Sequence, residues 1–118
     1  MILGHVTGAG EPVVMLPVAG RTWPALIDMG FNGDLELPEG LHSVLNAEFS
    51  HQTSSSLAAG QTAIEDVYSV EFPFDGEIVI AEASFAPGVQ ILIGTHLLGH
   101  YHLQIHFPDG TVHLGRVA

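Results

Sequence analysis

Apolar and polar positions alternate along this chain in short runs, and Pro, Gly and Asp-Gly signals interrupt them roughly every eight to fifteen residues. Helical periodicity is scarce, so the pattern predicts many short strands. The runs EPVVMLPVAG and RTWPALID read as two strands joined by a tight turn at Ala19–Gly20. Pro12, Pro17 and Pro24 are expected at edge or bulged positions, because proline cannot donate to a strand ladder. After Pro38, EGLHSVLNA sets Leu41, Val44 and Leu45 at helical spacing and predicts a short helix. SHQTSSSLAAGQTAIEDVYSVEF reads as a polar hairpin turning near Gly60, and FPFDGEIVIAEASF as a hairpin around Asp75–Gly76. Further on, Tyr101, Leu103, Ile105 and Phe107 alternate with His102, Gln104 and His106, which gives one strand an apolar and a polar face. Asp109–Gly110 then returns the chain into TVHLG. No internal repeat and no linker interrupts this order, so residues 1–118 are read as one all-β domain.

Composition narrows the function classes. A chain of 118 residues with 47% apolar content can bury roughly two-thirds of the surface its unfolded form exposes. Thirteen Asp and Glu face only Arg21 and Arg116, with no lysine, for a formal net charge of −11. Such a surface repels nucleic acid and anionic lipid, so neither is expected as a partner. No apolar run approaches the about 18 residues a membrane span requires. The absence of cysteine excludes disulfides, thiolate metal sites and a thiol nucleophile. MILGHVTGAGEP has neither the basic start nor the long apolar stretch of a signal peptide, and a cytoplasmic location is expected.

The chemistry concentrates in ALIDMGFNGDLELP, residues 25–38. Asp28 ends an apolar strand, and Gly30 and Gly33 free the backbone beyond it, which places the carboxylate on a tight loop. Two readings follow: an Asx turn in which Asp28 caps its own loop, or a carboxylate put to chemical use. Asp34, Glu36 and Glu39 read as a solvated acidic face, one that would favour a basic peptide if it lined a cleft. Trp23 and Phe31 read as core or interface positions in preference to specificity pockets.

ALIDMGFNGDLELP resembles the active-site loop of the retropepsin-like aspartic proteases, the single-lobe relatives of the retroviral enzymes, and especially their bacterial and archaeal members. SLAAGQTAIEDVYSVEFPFDG resembles the segment that forms the flap hairpin and the strand behind it. ILIGTHLLGHYHLQIHFPDGTVHLG is similar to the closing segment, in which Leu92, Ile93 and Gly94 precede a short helix and the last hairpin. In order, the resemblance extends from about Glu11 to Leu114. It implies a closed all-β barrel with a flap hairpin and one or two short helices, and an aspartic endopeptidase needing neither metal nor other cofactor. In that chemistry two aspartates share a proton across a water molecule, one as base and one as acid. This chain has one Asp-x-Gly of the matching kind, while Asp75 and Asp109 lie in Asp-Gly turns, so the second carboxylate is expected from a second copy of Asp28 in a homodimer. By the same resemblance Met29 and Gly30 belong to the active-site loop, and Asn32 with Ala59, Gly60 and Gln61 of the flap would hold an extended peptide.

Two positions depart from the family pattern. Met29 stands where relatives carry Thr or Ser, whose hydroxyl donates across the dimer axis for about 0.5–1.5 kcal/mol net. Methionine cannot donate, although it can pack against its symmetry mate. A catalytically weakened peptide-binding or dimerisation module on the same fold is therefore the alternative. His96 stands where relatives carry Asp or Asn and reads as a polar residue starting the helix.

His96, His100, His102 and His106 invite a third reading as a metal site. A change from helix to strand after Gly99 would separate them, and no HExxH pattern is present. Collectively, protonation of the eight histidines would offset most of the formal charge of −11, so acidification is expected to tighten a dimer.

Overall fold

The computed structural model describes residues 1–56 and 58–117. Among them, ten strands form one sheet: β1 (Ile2–Val6), β2 (Pro12–Val18), β3 (Arg21–Ile27), β4 (Leu35–Pro38), β5 (Glu48–Ser56), β6 (Thr62–Phe74), β7 (Glu77–Ala86), β8 (Ile91–Ile93), β9 (Tyr101–His106) and β10 (Thr111–Arg116). Their order across the sheet is β5-β6-β7-β4-β8-β3-β2-β1-β10-β9. Neighbours run antiparallel except β3 with β8 and β4 with β7. Strands distant in that order nevertheless share one core, in which Val14 and Leu16 of β2 belong to the same cluster as Phe72 and Phe74 of β6. The sheet must therefore curl around its own interior. No helix among the described residues is long and apolar enough to cross a membrane.

Local sequence accounts for the hairpins. Ala19 and Gly20 both take positive φ, as do Asp75 and Gly76, which is the geometry of a two-residue turn whose twist matches the flanking strands. In β9 the apolar members Tyr101, Leu103 and Ile105 are half-buried while His102, Gln104 and His106 are exposed, as the alternation predicts. Phe107 does not continue that face. It lies in the turn beyond the strand and is largely exposed.

The prolines sit differently from their expected edge placement. β2 and β3 are interior strands, but pairing with β1 reaches only Pro12–Val14 of β2, and pairing with β8 begins at Ala25. Pro17 and Pro24 thus lie where one flank has no ladder to interrupt. The short helix expected after Pro38 is a single 3-10 turn at Glu39–Leu41, followed by further turns. The bonds His42 N–H to Glu39 O and Val44 N–H to Leu41 O have the i to i+3 spacing. Leu41 and Leu45 are buried and Val44 is exposed, so two apolar anchors bind the segment to the core without a continuous helical face.

Candidate functional site

Asp28 is the first residue past β3, and the parallel partner strand carries on beneath it: the Asp28 amide donates to Ile93 O at 3.0 Å. The chain then turns sharply, with the Phe31 amide donating to Asp28 O at 3.1 Å. Inside this turn the Gly30 amide donates to Asp28 Oδ1 at 2.9 Å. That contact is the Asx turn of the first reading, and it also orients the carboxylate. Oδ1 is committed to the loop, while Oδ2 makes no hydrogen bond among the described residues. A Cβ at Gly30 would stand 3.4 Å from Oδ1, so the backbone passes close beneath the carboxylate. Met29 forms the apex of the loop with 64% of its surface exposed.

The loop is braced by the segment after β8. Thr95 N–H donates to Phe31 O at 2.8 Å, His96 N–H to Gly33 O at 3.2 Å and Gly94 N–H to Asp34 O at 2.9 Å. The Thr95 hydroxyl adds a bond to Phe31 O at 3.3 Å. These contacts join residues about sixty positions apart in sequence, so no local pattern forecasts them.

Asp34 is not part of a solvated face. It is 8% exposed, accepts the Glu82 amide on Oδ2 at 2.9 Å, and meets His96 Nδ1 with Oδ1 at 2.6 Å. A carboxylate buried at this depth requires partners, and β7 and the His96 segment supply them. His96 likewise does not cap the following 3-10 turn (Leu97–His100) with its side chain; it turns toward Asp34. Glu36 is half-buried, and its carboxyl is pushed above the usual range first by burial, then by the neighbouring charges of Glu65 and Asp28. Of the acidic stretch only Glu39 is fully on the surface.

Ala59, Gly60 and Gln61 occupy the tip of the β5–β6 hairpin, where Ala59 and Gly60 both have positive φ. The stem of that hairpin approaches the Asp28 loop. Thr53, Glu65 and Val67 line a cavity of about 170 Å³ together with Phe31 and Gly33. Asn32 is exposed and borders a different cavity, shared with Asp34, Glu82 and His96. The structure thus places Asp28, Met29, Gly30 and Asn32 in one loop, while Ala59, Gly60 and Gln61 belong to the separate β5–β6 hairpin. Thr53, Glu65, Val67 and the Asp34–His96 pair were not singled out from sequence, because each depends on strand pairings across the fold.

Trp23 belongs to the core, donating from its indole to Val18 O at 3.2 Å under the Arg21 guanidinium. Phe31 covers Gly33 and Gly94 and forms a wall of the cavity. The histidines of the closing segment diverge: His96 is engaged by Asp34, His100 ends the 3-10 turn, and His102 and His106 lie on the exposed face of β9. Among the described residues no group of three potential ligands converges.

No protein-family model matches the sequence, and no curated protein is similar to it. Solved structures are similar in fold. A retropepsin-like aspartic protease from Rickettsia conorii superposes with a TM-score of 0.65 at 13% identity, over 98% of this chain and 92% of that one. The foamy viral protease-reverse transcriptase bound to an RNA/DNA hybrid gives a TM-score of 0.61 at 18% identity over 80% of this chain. A related foamy viral structure with double-stranded DNA gives 0.61 at 17% identity. This chain spans only 13% and 16% of those two viral polypeptides. The fold is therefore the retropepsin-like all-β fold.

Proposed function

We propose that two copies of this chain form an aspartic endopeptidase in which Asp28 and its symmetry mate share one proton. The reading is carried by the Asp28 carboxylate, whose Oδ1 is held by the Gly30 amide while Oδ2 is left uncommitted beside the exposed apex of its loop. In the reaction the ionised Asp28 takes a proton from a water lodged between the two side chains. The water oxygen attacks the peptide carbonyl carbon, and the protonated aspartate donates to the carbonyl oxygen. Collapse of the tetrahedral diol then breaks the C–N bond as the nitrogen takes up a proton. Close approach of two like charges keeps one proton on the pair, so a single dyad supplies acid and base together.

The β5–β6 hairpin serves as the flap, with Ala59, Gly60 and Gln61 closing over an extended peptide and Asn32 bonding its main chain. Glu36 and Glu65 make the cleft acidic, which favours substrates with lysine or arginine near the scissile bond. No cofactor or metal enters this chemistry, and a cytoplasmic setting suits a chain without cysteine. The test is cleavage of a peptide library at pH 4 to 7 by the parent and by Asp28→Asn. Asn retains an acceptor for the Gly30 amide but cannot act as base, so cleavage should fall by at least about a thousandfold with the fold intact. Parent-like activity in that variant would exclude the reading.

Met29 favours a second reading. Its exposed thioether supplies apolar contact at a two-fold axis and no hydroxyl to brace the paired loops. On that reading the dimer binds extended peptides without turning them over.

A further inference from the structure

Asp34 is the buried charged side chain of the described core, and three parts of the fold meet at it. Its Oδ2 takes the Glu82 amide of β7, its Oδ1 takes His96 Nδ1, and its carbonyl takes the Gly94 amide. The His96 main chain adds a bond to Gly33 O. The loop that begins at Asp28 is thereby fastened at its far end by one carboxylate and one imidazole. Yet the ring itself is 78% exposed, so it exchanges protons freely with solvent.

We propose that His96 is a positioning residue whose imidazolium clamps Asp34 and so holds the Asp28 loop in its observed conformation, the loop loosening when the ring loses its proton. A charged donor makes a shorter and roughly twice stronger hydrogen bond than a neutral one. Loss of the proton also frees the ring to adopt the tautomer with a lone pair on Nδ1, which would face the carboxylate unfavourably. The surrounding charges agree in direction. The hydrogen bond to Asp34 and that carboxylate's charge hold the His96 ring above its ordinary value of 6.5, Glu82 adds to this, and partial desolvation opposes it. His100, Tyr101 and Arg116 line a cavity together with Asp34 and His96. Arg116 is paired with Glu77, which offsets its charge. The clamp is a property of the fold; only its consequence for cleavage rests on the peptidase reading.

The experiment combines an NMR titration of the His96 ring with hydrogen exchange at the Gly94, Thr95 and Glu82 amides from pH 5.5 to 8.5, corrected for intrinsic exchange. In the parent, protection should fall roughly three- to tenfold as the ring titrates. His96→Asn keeps a donor near the Nδ1 position that does not titrate, and its protection should be flat over the same range. Asp34→Asn should invert the dependence, because a neutral imidazole can accept from the amide whereas a protonated one cannot. Parent protection that stays level through the His96 transition, or an unchanged transition in His96→Asn, overturns the clamp. Where cleavage is measurable, the alkaline limb of kcat should move in His96→Asn with KM little altered. With no cleavage at any pH the peptidase reading falls, and exchange alone decides the clamp.

Discussion

Gly94 lies so close to Gly33 that a Cβ added to it would stand 2.0 Å from the Gly33 carbonyl oxygen and 2.9 Å from the Phe31 ring. The two glycines come from opposite halves of the chain, and their contact lets the segment after β8 cross directly behind the Asp28 loop. Gly94→Ala should therefore push the loop outward and destabilise the fold by about 1–3 kcal/mol, in the range of overpacked cores. Gly99→Ala, where nothing lies within 4 Å, should be tolerated. Urea unfolding of both variants makes the comparison, and equal midpoints would show that the crossing can relax.

Met29 separates folding from assembly. With 64% of its surface exposed in the single chain, Met29→Thr should leave monomer stability within about 0.5 kcal/mol. If the loop apices meet at a two-fold axis, the new hydroxyl should brace the paired carboxylates and raise kcat/KM roughly tenfold or more. Sedimentation and cleavage assays on the same samples distinguish an altered dimer from altered chemistry.

Glu36 gives a pH dependence of definite sign. Its folded-state carboxyl binds a proton more tightly than the unfolded chain does, through burial first and then the charges of Glu65 and Asp28. The ionised group therefore opposes folding, a cost absent below its ordinary value of 4.5 and fully present once the pH exceeds the raised value. Glu36→Gln should be more stable than the parent at pH 7, with the difference shrinking as the pH falls to 4. It should also weaken any preference for basic peptides, more at low salt than at high.

The histidines supply a second dependence, acting between chains. All eight are exposed, so each can take up a proton and offset part of the formal charge of −11. A dimer of this chain should be tighter at pH 5.5 than at 7.5 in low salt, and the difference should diminish as salt is added. Analytical ultracentrifugation measures both effects; a dimer indifferent to pH would remove the electrostatic account.

Much of the architecture is legible in the sequence. The Ala19–Gly20 and Asp75–Gly76 turns, the two-faced strand at Tyr101–His106 and the hairpin turning near Gly60 are local features, set by backbone sterics and by the period of two along a strand. The Asp28 loop was legible for the same reason, since an acid followed closely by glycine encodes its own tight turn.

What sequence could not decide was how distant segments use one another. Pro17 and Pro24 sit in interior strands because the neighbouring strands end short of them, a matter of register alone. Asp34 lies in the bend just before β4 and Glu36 within it; tertiary contacts bury the first against His96 and Glu82 and leave the second half-buried beside Asp28. Charge is written in the residue, but whether a charge is solvated, paired or strained depends on the surface folded against it. Sequence alone thus determined the strands, their turns and the carboxylate at the loop; only the tertiary structure decided which of the surrounding acids are buried, and what holds them there.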